Sequence, residues 1–226
     1  MLTLVSTTNK RALDAVRVLT AKGGLLDYGP LGSRLVVRTM RALAQGKAVE
    51  PEQAEEIARQ VGMQAHEAHA VLRPITQHDA RGNIVGVLGL TLLESPHAFR
   101  VNGARLWTWC AGDTLFLPAV LGKTATIESR PPLSGEPVRL RVSPERIEDV
   151  SHPGAVLSLI IREPGDTDLS SVEAIWGTYC HHIHFFTSRE EAERWRADRE
   201  EIEILPLDEA YQLLGKLTSE RLLAYE

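Results

Sequence analysis

The stretch Leu106-Trp-Thr-Trp-Cys-Ala-Gly-Asp-Thr-Leu-Phe-Leu-Pro118 joins a strand-like segment to a segment that can form a helix. Cys110 lies at the junction, where the positive end of a helix dipole would lower the pKa of its thiol and favour the thiolate. Asp113 follows three residues later, so on a helix it shares a face with Cys110. An equally open interpretation is a buried Cys110 packed beside Trp107 and Trp109, with Asp113 as a capping carboxylate.

The second cysteine lies in Tyr179-Cys-His-His-Ile-His-Phe-Phe186, beside three histidines. If this segment is a strand, Cys180, His182 and His184 lie on one face, an arrangement that predicts a zinc or copper site. The alternative is a strand with ordinary core or surface imidazoles, and no CxxC or HxxxH spacing supports a structural zinc. If the fold joins both cysteine segments, two thiols and the carboxylate of Asp113 form a site suited to a thiophilic metal.

Composition limits the class of protein. The chain has 226 residues, an apolar fraction of 43% and a formal charge of −5, with a pI near 5.9. These values predict a globular protein with a sizeable core and argue against a nucleic-acid binder, which usually has a basic face. Two cysteines are too few for a disulfide scaffold and fit a reducing compartment. The N-terminal residues lack the pattern of a signal peptide, and no apolar run has membrane-spanning length, so we expect a soluble, cytoplasmic protein.

The N-terminal part is predicted to be helical. Its periodicity indicates helices over residues 9–20, 34–45 (with Ser33 as a possible cap), 51–60 and 64–72, followed by a strand or hairpin over 84–93. This order predicts a winged-helix-like module over residues 1–80. Its presumed recognition helix, residues 64–73, has one arginine and one glutamate, whereas phosphate contacts need several basic residues. We therefore interpret the module as a packing or lid domain.

The remaining residues, 81–226, are predicted to form the second domain. Asn102-Gly103 predicts a hairpin turn within residues 99–109. Alternating apolar and polar residues predict strands over 124–129 and 138–142, and a more continuous apolar run predicts a strand over 155–161. Helices are expected over 189–199 and 207–217. The predicted fold class is α+β, with a mixed, largely antiparallel sheet and flanking helices behind the N-terminal module.

Both cysteine segments resemble the organomercurial lyase (alkylmercury lyase) family. The similarity to residues 109–122 is close, continues through Thr124-Ala, Ser134-Gly135, Pro137-Val138 and Val142-Ser-Pro144, and resumes at residues 180–186. It covers roughly residues 90 to 190. The combination WCAxDTL…P with CxHxHFF is specific, because a chance match to both motifs in this order is improbable.

The resemblance implies protonolysis of carbon–mercury bonds, giving a hydrocarbon and Hg(II). It assigns the catalytic and mercury-binding roles to Cys110, Asp113 and Cys180, all present here. No resident cofactor is implied. The expected partners are the organomercurial substrate, cellular thiols and a mercuric reductase as Hg(II) acceptor. The chain departs from many relatives at Pro131 and from some at His181, where those proteins carry cysteine, so the resemblance does not fix product handling or local stability.

The chemistry of these residues agrees with the resemblance. Thiolates are the soft ligands that a mercury alkyl prefers, and a carboxylate between them can move a proton to the leaving carbon. We expect Trp107, Trp109, Phe116 and Phe185 to supply an apolar pocket. Two alternatives stay open: a metal-responsive winged-helix regulator and a metal carrier without turnover.

Overall fold

A computed structural model describes residues 9–162 and 167–226. The segment 1–8, for which the sequence predicts no signal peptide, lies outside the described residues. The fold is α+β, as predicted, and its larger sheet is antiparallel throughout. No helix in the two described ranges combines the length and the apolar character needed to cross a membrane.

Four helices occupy the N-terminal part: α1 Lys10–Thr20, α2 Gly29–Leu43, α3 Pro51–Val61 and α4 Ala65–Leu72. The Asn9 side chain caps α1 by accepting a hydrogen bond from the backbone N–H of Ala12 at 3.0 Å. The prediction that the second helix starts after Ser33 is wrong. α2 begins five residues before Arg34 because Pro30 fits the first helical turn, and Ser33 lies fully buried inside the helix.

A hairpin follows these helices and leads directly into the larger sheet. It consists of β1 Thr76–His78 and β2 Ile84–Val87, and a backbone bridge joins Val49 to Ile84. The four helices agree with the predicted elements, and the hairpin predicted over residues 84–93 corresponds to β2 and the next strand, Leu90–Thr91. Strand β1 was not predicted, and the winged-helix class of the module stays a prediction. The boundary predicted between residues 80 and 81 also stays a prediction, and it falls in the turn of this hairpin.

The larger sheet has eight strands in the order β1-β2-β3-β5-β4-β6-β7-β8. Its further strands are β3 Leu90–Thr91, β4 His97–Val101, β5 Ala104–Thr108, β6 Ala125–Ser129, β7 Val138–Val142 and β8 Ile147–Val150. The predicted Asn102-Gly103 turn is confirmed, and both residues have the positive φ angles, 50° and 78°, that a two-residue hairpin of this kind requires. Burial alternates along β6 and β7, so one face of the sheet covers the core.

A smaller sheet of three strands lies in the C-terminal half of the chain. Its order is β10-β9-β11, with β9 Val156–Ile160 in the centre, β10 Phe185–Phe186 and β11 Ile202–Pro206. Every residue of β9 is buried, which explains its continuous apolar run. The flanking helices are α6 Val172–Thr178 and α7 Arg189–Arg196, and α7 ends three residues before the predicted Arg199 because Ala197 adopts a positive φ of 49°.

The helix that follows Cys110 contacts both the N-terminal helix α2 and the C-terminal helices. This helix, α5 Asp113–Leu121, packs against a C-terminal helical segment made of α8 Leu207–Ala210, a π-helical stretch Tyr211–Leu217 and α9 Thr218–Leu223. Gly215 permits the close approach, because a Cβ there would stand 3.2 Å from the carbonyl oxygen of Leu115. The N-terminal end of α5 is thereby enclosed by N-terminal and C-terminal elements.

Candidate active site

Three reactive side chains from distant parts of the chain meet at the N-terminal end of α5. The sulfurs of Cys110 and Cys180 and a carboxylate oxygen of Asp113 all lie within 4.8 Å of one another. Both cysteines are free and buried, and Asp113 is half-buried. The structure therefore brings together the three residues that the sequence predicted, although 70 positions separate the two cysteines.

Three hydrogen bonds hold Cys110 in the turn between β5 and α5. The N–H of Trp109 donates to the carbonyl oxygen of Gly89 at 2.8 Å, and the Thr108 hydroxyl donates to the carbonyl oxygen of Cys110 at 2.7 Å. The N–H of Cys110 donates to Oδ2 of Asp113 at 2.8 Å. This last bond makes Asp113 a cap of the turn and also holds its carboxyl beside the thiols, so the two interpretations of Asp113 describe one geometry.

Cys180 lies on a tight turn, and the prediction that it belongs to a strand is wrong. Residues Cys180–His182 form a 3₁₀ turn directly after α6, so alternate side chains do not share a face. The ring of His182 bonds the carbonyl oxygen of Gly177, and the ring of His184 bonds that of His181. Within the described ranges the thiol–carboxylate cluster contains no histidine, so the local Cys–His metal site is not formed.

The electrostatic environment of Cys110 is opposite to the sequence expectation. Burial raises the pKa of the Cys110 thiol well above its usual value, and the hydrogen bond with Cys180 and the negative charge of Asp113 raise it further. The helix dipole was expected to lower this pKa. Desolvation prevails because the sulfur lies in an apolar enclosure, where a thiolate loses its hydration.

The pKa values of the other two groups of the cluster are raised as well. The hydrogen bond from Cys110 lowers the pKa of Cys180, but burial and the charge of Asp113 together outweigh it, so the pKa is raised. Burial raises the pKa of Asp113 to about 6, against the stabilising hydrogen bond from the Cys110 N–H. A carboxyl with this pKa can both accept and donate a proton near neutral pH.

A small apolar cavity of about 70 Å³ opens onto the three groups. Trp109 and Phe116 line it, as expected. Trp107 does not, because it lies on the other face of the pleat under the Arg105 guanidinium, and Phe185 is instead fully buried in the core. Several lining residues lie outside the two cysteine segments and were not identified from the sequence, namely Leu19, Leu25, Leu26, Leu88, Gly89, Ile175, Leu214 and Thr218.

The arrangement supports a defined chemistry. Two soft sulfur donors and one proton-carrying carboxyl share an enclosure whose other walls are mainly hydrocarbon. Such a donor set favours a large, polarisable metal ion over zinc, magnesium or calcium, which prefer more or harder ligands. The apolar walls suit a substrate with an organic group attached to that metal.

Known proteins resemble this chain in sequence and in fold. The sequence profile described as alkylmercury lyase matches residues 90–219. An alkylmercury lyase from Pseudomonas putida is 38% identical over 84% of this chain and 84% of its own length, and one from Bacillus cereus is 36% identical over 80% and 79%. The crystal structure of the mercury-bound form of MerB2 superposes with a TM-score of 0.70 and 25% identity, covering 95% of this chain and all of that one.

Proposed function

The chain belongs to the alkylmercury lyase family, and from this premise we propose that it breaks carbon–mercury bonds by protonolysis. It is an enzyme that converts an organomercurial into a hydrocarbon and Hg(II), a reaction that detoxifies the compound and serves mercury resistance. The observation that carries this proposal is the meeting of Cys110, Asp113 and Cys180 in one apolar cavity.

The first step is capture of the substrate by the thiols. One cysteine displaces the leaving ligand of R–Hg–X, so that an S–Hg bond forms, the Hg–X bond breaks and the thiol proton leaves with X. The carboxylate of Asp113 then takes the proton of the second thiol, and that sulfur forms a second S–Hg bond. Two sulfur donors raise the electron density on mercury and make the attached carbon more basic.

The second step is transfer of the proton from Asp113 to carbon. The electron pair of the Hg–C bond becomes the new C–H bond, and mercury stays Hg(II) with two thiolate ligands. Asp113 returns to its carboxylate form, so no oxidant or reductant is consumed. Because the three groups are already within 4.8 Å of one another, little reorganisation is needed before reaction.

Release of Hg(II) requires an acceptor outside the cavity. We propose that cellular thiols or a mercuric reductase remove the product by ligand exchange, and that the enzyme uses no resident cofactor. The free state of both cysteines supports a reducing, cytoplasmic location. His181, next to Cys180, offers no thiol for this exchange, in contrast to the relatives that carry cysteine there.

The N-terminal part is proposed to be a winged-helix-like cover for the active site. Leu19, at the end of α1, and Leu25 and Leu26, in the loop after it, line the cavity and support this role. Such a cover excludes water, which strengthens the charge interactions that drive proton transfer.

The deciding experiment is headspace detection of methane or benzene after methyl- or phenylmercury is added with excess thiol. Catalytic release of hydrocarbon is expected, and Cys110→Ser serves as the matched control. Stoichiometric mercury binding without hydrocarbon would make the protein a carrier. Mercury-dependent binding to duplex DNA without hydrocarbon would make it a regulator.

A further inference from the structure

The turn between β2 and β3 lies against the carboxyl group of Asp113. Leu88 and Gly89 form this two-residue turn, and both have positive φ angles, 39° and 91°. Gly89 lines the cavity, and its carbonyl oxygen accepts the N–H of Trp109, the residue before Cys110. The turn is thus tied directly to the segment that carries Cys110 and Asp113.

The contact with Asp113 leaves no room for a side chain at position 89. A Cβ built there would lie 2.5 Å from Cγ and 2.6 Å from Oδ1 of Asp113. Carbon atoms in contact are usually about 3.5–4.0 Å apart. An alanine would therefore have to displace the carboxyl by about 1 Å, while the Cys110 N–H holds its other oxygen at 2.8 Å.

We propose that Gly89 is a positioning residue for protonolysis. Because it has no side chain, the Asp113 carboxyl packs directly on its backbone, and this contact sets the position of the carboxyl relative to the two sulfurs. This inference rests on the proposed function. Gly89 takes no part in proton transfer itself. It acts through the position of the Asp113 carboxyl. A misplacement of about 1 Å at a reacting group can lower a rate by about 10²-fold.

The chain offers a matched control for the backbone effect of a substitution. Gly103, in the turn between β4 and β5, has a φ of 78°, and a Cβ there would meet no heavy atom within 4 Å. Gly89→Ala and Gly103→Ala therefore introduce similar backbone strain, because both residues have left-handed φ angles. The two variants differ in the contact with Asp113.

The test compares hydrocarbon release and Hg(II) binding in these two variants. Gly89→Ala is expected to lower the rate of cleavage about 10²-fold while Hg(II) affinity stays near that of the wild type, since both thiols remain. Gly103→Ala is expected to keep wild-type cleavage. In a background that already carries Asp113→Asn, Gly89→Ala is expected to cause no further loss.

Three outcomes would overturn the inference: near-wild-type cleavage by Gly89→Ala, an equal loss in Gly103→Ala, or a further loss in the Asp113→Asn background. If Gly89→Ala does not fold, a crystal structure of the wild-type protein with Hg(II) tests the inference. The inference requires that the Asp113 carboxyl remains packed on Gly89 in that structure. A carboxyl that swings away from Gly89 would refute the inference. A wild-type protein that releases no hydrocarbon would instead refute the proposed function.

Discussion

The backbone N–H of Ala111 donates a hydrogen bond to the carbonyl oxygen of Ile183 at 3.2 Å. This bond joins the turn that carries Cys110 to the segment that follows Cys180. The two sulfurs are therefore held near each other by main-chain contacts even before any metal arrives.

We expect Cys110→Ser and Cys180→Ser each to lose nearly all protonolysis. A hydroxyl is a hard and weakly acidic group, so it does not replace a thiolate as a mercury ligand. Hydrocarbon release from methylmercury measures the effect, and far-UV circular dichroism checks that each variant is folded. A two-thiol mechanism does not survive if either variant keeps wild-type release.

Asp113→Asn should impair cleavage much more than mercury capture. The amide keeps the size of the side chain and an oxygen for the Cys110 N–H, but it cannot carry the proton. We expect cleavage to fall by roughly 10²–10⁴-fold, the usual range for a lost general acid or base, while Hg(II) still binds tightly. Single-turnover hydrocarbon release and a competition assay for Hg(II) separate the two effects.

The same variant should be more stable than the wild type at neutral pH. The folded-state pKa of Asp113 is raised to about 6, so the wild type loses stability as pH rises from about 4 to about 6. At 1.36 kcal/mol per pKa unit, a rise from 3.8 to about 6 corresponds to at most about 3 kcal/mol. Because the carboxyl is half-buried, we expect a smaller gain, about 1–2 kcal/mol above pH 6. A carboxylate acting only as a cap would instead cost about 1 kcal/mol on removal, with turnover unchanged.

The rate of protonolysis should increase with pH through an apparent pKa near 6. Below that value Asp113 is protonated and cannot take the proton of the second thiol. The value belongs to the coupled site, because both thiols interact with the carboxyl. A single-turnover pH profile tests this expectation, and a rate that does not change between about pH 5 and pH 7 would contradict it.

Leu26→Ala should change substrate preference as well as stability. Leu26 is 4% exposed and lines the cavity, so its truncation enlarges the space for the organic group. We expect a loss of about 2–5 kcal/mol in unfolding free energy and a higher phenylmercury-to-methylmercury rate ratio. Leu140→Ala, at a site 3% exposed and away from the cavity, is the control. An unchanged rate ratio in Leu26→Ala would show that the loop after α1 takes no part in substrate recognition.

The protein should not bind duplex DNA sequence-specifically at moderate salt. Helix α4, the presumed recognition helix, contains Glu67 and no lysine or arginine, so it lacks the basic residues that phosphate contacts need. Fluorescence anisotropy with a random duplex pool, with and without Hg(II), measures the affinity. Saturable, sequence-selective binding would restore the regulator hypothesis.

Local chemistry made much of the fold predictable from the sequence. Asn102-Gly103 predicted its hairpin because few residues tolerate the φ angles of that turn, and alternation predicted β6 and β7 because one sheet face is buried. The start of α2 was missed because Ser33 resembled a cap, whereas Pro30 initiates the helix. Strand β11 and helix α6 were also missed.

The meeting of Cys110, Asp113 and Cys180 was predictable from motifs, but their surroundings were not. The raised pKa of Cys110 depends on burial by remote segments, which the local helix dipole does not reveal. The leucines after α1 and the contact of Gly89 with Asp113 likewise arise from tertiary packing between distant positions. A bare glycine in a hairpin turn carries no sequence signal of the side chain that lies against it.

The burial of the two thiols has a consequence for survival under oxidative stress. Peroxide attacks exposed thiolates, and here both sulfurs are enclosed and held in their protonated forms. The two thiols therefore react slowly with oxidants dissolved in water. A neutral, lipophilic organomercurial, in contrast, can enter the apolar cavity and exchange its leaving ligand for a cysteine there. We therefore expect the enclosure to slow oxidation of both thiols, so that the enzyme stays reduced where mercury has depleted the thiols around it.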